Sequence, residues 1–307
     1  MLTVVMYHYV RPLAGSAWPR LKALDLQDFI GQLDWLTQNH TLIGPYDLQL
    51  ALTEGAPLPS RPCLLTFDDG YSDHHDHVAP LLADRGIKGL FFAPFSSLIR
   101  RRVLEVNKVQ LMLASLSNPE ILADELDAWL RAQDLADPVR LRATHFLPNR
   151  FDSAPVAYSK RLLQHALPRT IRSVAVETLF SRYVTTDEQG LAEQLYLTTA
   201  QAMDMRAAGH EFGGHGDLHL WHAQCNADEL QAEISGSVRT LRQLGAPVVN
   251  GFYCYPFGNQ DQSVRTAVAN AGFRIGFTVE PMTCNPANVD SLLIPRLDTN
   301  DLPKAPE

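Results

Sequence analysis

The sequence predicts an α/β protein, a small and irregular (β/α) barrel whose chain is interrupted by a mainly helical segment. Short β-rich runs alternate with helical patterns up to residue 95 and again from residue 196, an alternation typical of a parallel sheet. Of the 18 glycines, 17 lie outside residues 96–195, so the middle of the chain differs in composition from both flanks. About seven strand–helix units favour a barrel over an open doubly wound sheet, and the chain has neither a GxGxxG nor a P-loop motif.

Within the flanks, each predicted strand is a short apolar run, and each predicted helix repeats apolar residues at a spacing of three or four. We predict strands at residues 3–8, 63–67, 89–92, 210–213, 249–253, 275–279 and 292–294. We predict helices at residues 25–39, 72–85, 199–208, 227–244 and 263–271. The carboxyl ends of parallel barrel strands meet at one end of the barrel, where functional residues of such folds lie.

The glycine-poor middle segment is predicted to be a separate helical unit. Apolar residues recur at helical spacing at Leu122, Leu126 and Leu130, and prolines separate the helical pieces. Its formal charge is +1, whereas the rest of the chain carries −9. We therefore divide the chain into a barrel of residues 1–95 and 196–307 and a helical insertion of residues 96–195, which is either a lid over the barrel or a packing and interaction subdomain.

Composition excludes several functional classes. The 307 residues are 46% hydrophobic and 20% charged, which is typical of a globular protein and not of a disordered one. The net charge of −8 argues against nucleic-acid binding. Four cysteines lie far apart without a CxxC pair, so we expect free thiols rather than a zinc ribbon or a disulfide framework. No apolar run approaches about 18 residues and no leader pattern is present, so we expect a soluble, cytoplasmic protein without a transmembrane segment.

The strongest local motif is the run CLLTFDDG at residues 63–70, an apolar strand that ends in two adjacent acids and a glycine. Neighbouring acids are too close together to flank a glycosidic bond as a glycosidase pair does. A metal ligand beside a general base fits Asp68 and Asp69 better. The competing interpretation is an aspartate that caps the next helix, with Gly70 in a tight turn.

A second motif, HGDLH at residues 215–219, offers two histidines as metal ligands. His215 and His219 share one face if the segment is helical, and an added carboxylate completes a set of two histidines and one acid that leaves metal positions open. Such spacing also arises by chance in a chain with 11 histidines. The competing candidates are His74, His75, His77, His210 and His222.

Two further segments could contribute to a site. The run GFYCYPFG at residues 251–258 is a strand that enters a turn, and a turn of this kind can present backbone N–H groups to an oxyanion. Its structural interpretation is a plain strand end. His8 lies in the first predicted strand, where the residue pattern alone favours a buried core histidine over a catalytic one.

Taken in order, YHYV, TFDDG, HGDLH, YPFG and IPRLD resemble the polysaccharide deacetylases, carbohydrate esterase family 4. The chain is most similar to the permuted branch that contains poly-β-1,6-N-acetylglucosamine N-deacetylases. The resemblance covers most of residues 1–95 and 196–307, whereas the helical segment is outside the family core. It implies a distorted (β/α)7 barrel and hydrolysis of an N-acetyl, or less often an O-acetyl, group on a sugar.

The resemblance also implies roles for the motif residues. Asp69, His215 and His219 would bind a divalent metal, most often zinc, although this donor set also accepts Co²⁺, Ni²⁺ or Fe²⁺. Asp68 would be the general base that takes a proton from the attacking water. In the permuted branch His8 takes the role of the acid that protonates the leaving amine, which reverses the interpretation of His8 as a core residue.

The YPFG motif implies the rest of the site, with some departures from the family pattern. The backbone N–H of Phe257 would stabilise the oxyanion, and Tyr255 and Pro256 would lie in the second shell or beside the substrate. The arginine that usually holds the base is missing from this motif, and we hypothesise that Arg296 of IPRLD replaces it. Gly216 stands where Ser or Thr is usual in HGDLH, and the tryptophan-bearing motif of the family is absent.

These expectations combine into a metal-dependent sugar N-deacetylase of surface polysaccharide or lipopolysaccharide biosynthesis, such as the assembly of capsule or O-antigen. A cytoplasmic enzyme would act on a nucleotide-linked or lipid-linked acetylated sugar, and the arginines at 100–102 either contact a diphosphate or form a solvated face. The alternatives are a hydrolase of a non-sugar amide or cyclic imide and a non-catalytic sugar-binding protein. The sequence makes no prediction of an oligomeric state.

Overall fold

The structure is a computed structural model that describes residues 1–304. The described chain divides into two compact units. The first unit comprises Met1–Pro12, Ala23–Arg102 and the described residues from 192 onward, and the second comprises Leu13–Lys22 and Val103–Leu191. The insertion expected at residues 96–195 therefore corresponds to a unit that starts at Val103 and also includes Leu13–Lys22, a segment that we had expected in the barrel.

The strands of the described chain, seven of which form one barrel, are short. They are β1 (Thr3–Tyr7), β2 (Val10–Arg11), β3 (Leu24–Asp25), β4 (Thr41–Leu42), β5 (Pro62–Phe67), β6 (Leu90–Phe92), β7 (Glu211–Gly213), β8 (Phe252–Cys254), β9 (Ile275–Phe277) and β10 (Leu297–Asp298).

The helices of the first unit are α1 (Leu26–Asn39), α2 (Pro45–Glu54), α3 (Ala79–Asp84), α4 (Phe95–Leu98), α11 (Thr199–Ala207), α12 (Ala227–Leu244) and α13 (Gln262–Asn270). Those of the second unit are α5 (Glu105–Ser115), α6 (Glu120–Ala132), α7 (Pro138–His145), α8 (Ala154–Arg161) and α9 (Arg169–Tyr183), and α10 (Glu188–Leu195) crosses the boundary. Single π-helical turns lie at His74–Val78 and Leu162–Ala166.

Seven parallel strands close into a barrel. The main sheet has the order β10-β1-β5-β6-β7, and β4 pairs with the N-terminal end of β5. Single bridges join Gly214 to Tyr253 and Phe277 to Ile294, so that β8 and β9 connect β7 back to the chain that leads into β10. The predicted (β/α)7-type barrel is thereby confirmed.

The apolar sequences of the inner strands follow from their surroundings. All residues of β1 and β5 are buried, as is usual for parallel strands that are covered on both faces. Tyr7, Phe67 and Phe91 form a stack of rings on adjacent strands, with ring centroids 5.2 Å and 4.7 Å apart. This packed core fixes the strand ends that carry the site.

Two predicted strands differ from the structure at their ends. The final strand was predicted at residues 292–294, but β10 lies at Leu297–Asp298 and only Ile294 makes a bridge. Pro295 separates the two, because proline has no N–H to donate to a strand ladder. The strand predicted from Val249 begins instead at Phe252, since Asn250 has a left-handed φ of 59° and the chain turns there.

The second unit is helical, as the glycine-poor composition predicts. Buried leucines at positions 122, 126 and 130 lie on one face of α6, and α5 and α9 contribute further buried residues. Arg20 joins Leu13–Lys22 to this unit by donating to the carbonyls of Ala114 and Ser115, at 3.1 Å and 2.9 Å. Lys22 adds an ion pair with the buried Asp152. In the part of the chain that the structure describes, no helix combines the length and apolarity needed to cross a membrane.

Candidate active site

Three neighbouring strands bring the predicted base, acid and arginine together. In the parallel register of β1 and β5, Tyr7 lies beside Phe67, so that His8 and Asp68 follow directly at the same end of the barrel. On the other side of β1, β10 is preceded by Arg296. Asp68 and Arg296 are 228 positions apart in sequence, and they meet because β10 and β5 both pair with β1.

Asp69, His215 and His219 converge on one point. The Nε2 atoms of both histidines lie 3.4 Å from Oδ1 of Asp69, and all three residues are buried. Oδ1 of Asp69 and Nε2 of His215 have no hydrogen-bond partner among the described residues. Unpaired buried polar atoms are costly, and a cation between them would satisfy both. The donor set therefore fits a divalent metal.

Neighbouring groups orient these ligand atoms. Tyr71 donates its hydroxyl hydrogen to Oδ2 of Asp69 at 2.5 Å, which leaves Oδ1 for the histidine side. Nδ1 of His215 lies 2.8 Å from the carbonyl oxygen of Cys254, so an N–H on Nδ1 leaves the Nε2 lone pair free. Burial lowers the pKa of His219 to about 4, which keeps this imidazole neutral and able to ligate a metal at physiological pH.

Three residues of the site are among the seven non-glycine residues of the described chain that have a left-handed φ. Asp69, His219 and Phe257 have left-handed φ values of 73°, 61° and 58°, a conformation that residues other than glycine rarely adopt. Each costs of the order of 1–3 kcal/mol and persists only where the surroundings enforce it. Such outliers cluster at functional sites, and here three of them lie in the three predicted motifs.

Asp68 forms a fully buried, two-pronged ion pair with Arg296. The Nη1 and Nη2 atoms of Arg296 donate to the two carboxylate oxygens of Asp68, both at 2.8 Å. Burial by itself would raise the pKa of Asp68, but the charge and hydrogen bonds of Arg296 outweigh it and lower the pKa to about 2. Asp68 is therefore ionised at neutral pH, and the arginine holds it in a fixed orientation.

The Asp68 pair includes a thiol that the sequence analysis did not select. Arg296 donates to Sγ of Cys254 at 3.0 Å, and the Cys254 thiol faces Asp68 Oδ2 at 3.5 Å. Burial raises the pKa of Cys254, so the thiol is neutral. Asp68, His215 and Cys254 form a second group of buried atoms close enough to hold a metal, and this group shares His215 with the first.

His8 lies opposite the carboxylates with its ring partly open to solvent. Its Nε2 is 3.8 Å from Oδ2 of Asp68, and its side chain is 39% exposed, compared with 3% for Asp68. The carbonyl of His8 is 2.9 Å from Nε2 of the buried His74. His8 is therefore not a core histidine: its backbone is anchored and its ring is accessible.

The turn after β8 brings Phe257 next to His219. Its ring packs edge-on against His219, with ring centroids 4.6 Å apart, and stacks on Trp221 at 4.7 Å. Pro256 is buried at the start of the turn. Tyr255 is also fully buried, and its ring lies 5.5 Å from that of Tyr253 in the main core.

The competing histidines have other partners. Nδ1 of His210 accepts the N–H of Gly89, and Nε2 of His222 lies 2.6 Å from the Tyr253 hydroxyl. His75 pairs with Asp76 on the surface. Among the described residues, neither potential metal-binding group includes His74, His75, His77, His210 or His222.

Two of the three arginines at 100–102 have internal roles. Arg100 pairs with Asp217, and Arg101 donates to the carbonyls of Leu197, Ala192 and Tyr196. Arg100, which is 47% exposed at its side chain, and Arg102 both face solvent. Only Arg101 is therefore used mainly to hold backbone carbonyls of the first unit.

Comparison with known proteins gives matches of one kind. A family model described as polysaccharide deacetylase matches residues 151–276, which include His215, His219 and Phe257 but not TFDDG. Over 93 residues, or 30% of this chain, the sequence is 31% identical to YxkH of Bacillus subtilis (strain 168), whose name assigns it provisionally to the polysaccharide deacetylases. The matched part is 31% of YxkH, so the chain spans about a third of this curated relative.

Solved structures extend the likeness to the whole chain. The deacetylase PplD of Streptococcus pyogenes, solved in complex with acetate, is 15% identical, has a TM-score of 0.58 and aligns over 97% of this chain and 91% of its own. IcaB of Ammonifex degensii is 18% identical, with a TM-score of 0.54 over 97% and 93% of the two chains. The BpsB deacetylase domain of Bordetella bronchiseptica is 16% identical, with a TM-score of 0.55 over 97% and 95%. At these identities the likeness establishes the fold.

Proposed function

We propose that this chain, which is similar to the polysaccharide deacetylases in sequence motifs and in its matched segments, is a metal-dependent deacetylase that removes an N-acetyl group from an amino sugar. One observation carries the proposal: Oδ1 of Asp69 and Nε2 of His215 are buried and unpaired beside His219. A pure binding protein would gain nothing from such costly atoms next to a separate ionised carboxylate and an accessible histidine.

Asp69, His215 and His219 would hold the metal. Two imidazole nitrogens and one carboxylate oxygen suit Zn²⁺, and also Co²⁺, Ni²⁺ or Fe²⁺. When bound, the ion supplies Lewis acidity, which polarises the acetyl carbonyl and lowers the pKa of a water molecule. The Tyr71 hydroxyl donates to Oδ2 of Asp69, and Oδ1 is the oxygen that faces the two histidines.

Asp68 is the proposed general base. It is ionised and sits beside the ligand group without belonging to it, so it is free to take the proton of the attacking water. Arg296 keeps both Asp68 oxygens oriented at 2.8 Å. Arg296 also limits the basicity of Asp68, because it lowers the pKa of this carboxyl to about 2. A proton taken up by Asp68 is therefore readily given up again.

His8 is the proposed general acid. Its accessible ring, with Nε2 3.8 Å from Asp68, is well placed to give a proton to the sugar amine as the amide bond breaks. The backbone N–H of Phe257, held in a strained turn against His219, would donate to the oxyanion of the tetrahedral intermediate. The products are acetate and a free amino sugar.

We propose that the substrate belongs to surface polysaccharide or lipopolysaccharide biosynthesis and is a nucleotide-linked or lipid-linked acetylated sugar. The second unit, which carries no member of the ligand group, is proposed as a lid or interaction subdomain. Both statements rest on the family resemblance rather than on a contact within the site.

The test is acetate release from a panel of substrates by metal-stripped and metal-restored protein. The panel contains UDP-linked N-acetyl sugars, lipid-linked oligosaccharides, chitooligomers, an O-acetylated sugar and a small cyclic imide. The proposal expects metal-dependent release from at least one N-acetylated sugar and none from the imide. Metal-dependent cleavage of the imide alone would replace the sugar substrate with a non-sugar amide, and metal binding without turnover on any member would contradict the enzyme assignment.

A further inference from the structure

The loop that contains HGDLH is anchored by the carboxylate of Glu233, a residue of α12. Glu233 is 1% exposed, and its two oxygens accept separate backbone N–H groups of the loop. Oε1 accepts from Leu218 at 2.8 Å, and Oε2 accepts from Leu220 at 3.1 Å. These two residues flank His219, so a single side chain holds the backbone on both sides of a proposed metal ligand.

His219 needs such support because of its own conformation. Its φ of 61° lies in the left-handed region, which costs a non-glycine residue of the order of 1–3 kcal/mol and requires surroundings that enforce it. The hydrogen bonds from Leu218 and Leu220 fix the peptide groups on either side of this strained residue. Without them, His219 could relax to an ordinary φ, and its Nε2 would move away from Asp69.

Gly216 of the motif lies so close to the Glu233 carboxylate that a side chain at this position would overlap with it. Gly216 has a φ of +77°, and a Cβ placed on it would lie 2.5 Å from Oε2 of Glu233. Ser237, one turn further along α12, accepts the N–H of Gly216 through its hydroxyl at 2.7 Å. The hydroxyl that Ser or Thr would bring at position 216 is therefore absent, and two side chains of α12 support the loop instead.

Glu233 can anchor the loop because its side chain is a carboxylate; a side chain of the same shape would not be sufficient. Both oxygens of Glu233 act as acceptors toward different N–H groups, which an ionised carboxylate can do and an amide cannot. In a glutamine of the same size, the NH2 group would face one of the two backbone N–H groups. One loop hydrogen bond would be lost and a buried donor left unpaired.

We propose that Glu233 is a positioning residue that holds His219 in the conformation needed for metal binding. The proposal rests on the proposed function, because it assumes that His219 is a metal ligand. It predicts that Glu233 contributes to metal affinity although it does not touch the metal.

The experiment measures Co²⁺ binding to metal-stripped protein, by calorimetry and by visible absorption of the bound ion, in the full chain. Glu233→Gln is compared with Glu229→Gln, a matched change on the same helix. Glu229 caps the start of α12 by accepting the N–H of Asn226 at 3.0 Å. Circular dichroism and thermal unfolding report the stability of each variant.

We expect Glu233→Gln to weaken Co²⁺ binding about 10- to 100-fold, the usual effect of losing a group that orients a ligand, and to change the Co²⁺ spectrum. Glu229→Gln should leave affinity and spectrum unchanged. If Glu233→Gln does not fold, Gly216→Ala tests the same contact from the other side and should weaken binding likewise. Affinity and spectrum equal to wild type in a folded Glu233→Gln or Gly216→Ala protein would overturn the proposal, whereas no Co²⁺ binding by wild type would overturn the proposed metal site itself.

Discussion

At the residue scale, two adjacent acids have acquired different environments. Asp68 continues the β5 direction and meets Arg296, whereas Asp69 turns into a left-handed conformation and meets Tyr71 and the two histidines. Burial raises the pKa of both carboxyls, but in each case charged or polar neighbours outweigh burial and lower it. Both are ionised at neutral pH, and only their partners distinguish a proposed base from a proposed ligand.

Replacing Arg296 with methionine tests the ion pair. The folded pKa of Asp68 is depressed to about 2, so the pair stabilises the protein above the unfolded pKa near 4 and this contribution is lost as pH falls toward 2. Arg296→Met leaves a buried unpaired charge, and we expect a loss of about 3–5 kcal/mol at pH 7. In the variant, burial should raise the pKa of Asp68, so the loss should shrink as the pH is lowered.

The measurement is urea unfolding of both proteins between pH 7 and pH 4. The control is Arg274→Met, which removes an exposed arginine that donates to carbonyls of Ala269 and Phe273. The control should change stability by less than about 0.5 kcal/mol. A pH-independent difference between wild type and Arg296→Met would contradict the account of Asp68.

Replacing His8 with alanine tests the proton donor. An amine leaves an amide only when it is protonated, whereas the phenolate of an aryl acetate leaves without a proton. We therefore expect His8→Ala to lower kcat on an N-acetyl sugar by about 10²- to 10⁴-fold and to affect an aryl acetate much less. His75→Ala, at a half-exposed histidine paired with Asp76, is the control. An equal loss on both substrates would mean that His8 positions the substrate and does not donate a proton.

Sequence motifs located most of these residues but not their neighbours. Asp68, Asp69, His215 and His219 stand in short local patterns that can be read without a structure. Glu233 stands in none of these motifs, and Cys254 lies within GFYCYPFG without any local sign that it contacts Asp68. The contact between Cys254 and Asp68 joins residues 186 positions apart. Arg296 was found only because the resemblance required an arginine that its usual motif lacks.

At the element scale, the site depends on how strands end. Gly70 follows Asp69 with a φ of +69°, and a Cβ placed on it would lie 2.7 Å from the Cβ of Ala93 after β6. Gly86, after α3, has almost the same φ of +68°, but no described atom lies within 4 Å of its Cβ position. An alanine at position 86 would therefore suffer backbone strain alone, whereas an alanine at position 70 would suffer both backbone strain and steric overlap.

We expect Gly86→Ala to lose about 1–3 kcal/mol of stability from strain alone, with unchanged metal affinity. Gly70→Ala should lose more stability than Gly86→Ala, because the added Cβ would overlap with Ala93 as well as strain the backbone. Relieving this overlap would move the turn that contains Asp69, so the metal affinity should also fall. Urea unfolding and Co²⁺ titration of both variants are the measurements. Equal losses of stability with intact metal binding in Gly70→Ala would show that the turn does not position Asp69.

The interior strands were predictable and the closing strand was not. Five predicted strands and five predicted helices lie within a few residues of those observed, because each has a clear apolar period. The closing strand β10 has two residues and contains no such period. It is defined by its pairing with β1, a tertiary contact that no local pattern encodes.

At the scale of the whole molecule, the chain alternates between its two units. It leaves the first unit at Pro12 and at Arg102 and returns at Ala23 and Ala192. The longer excursion is marked by a lack of glycine, which sequence analysis detected. The ten residues Leu13–Lys22 show no compositional change, so their membership of the second unit follows only from contacts such as those of Arg20.

Hydrogen exchange with and without Zn²⁺ tests this division. All the proposed metal ligands belong to the first unit, so metal binding should protect peptides covering residues 66–71 and 212–220. Peptides covering Glu105–Ser115 and Arg169–Tyr183 should exchange at the same rate in both states. Protection of the second unit as strong as that of the first would mean that metal binding is not confined to the barrel.

The central claim is that Asp68 and Asp69 perform different tasks, and the most direct test measures bound zinc and acetate release together in Asp68→Asn and Asp69→Asn. We predict that Asp68→Asn keeps its zinc and loses about 10²- to 10⁴-fold in kcat, because only the base is removed. Asp69→Asn should lose both zinc and activity, and circular dichroism should show that both variants are folded. Full activity in Asp68→Asn, or undiminished zinc in Asp69→Asn, would contradict the assignment.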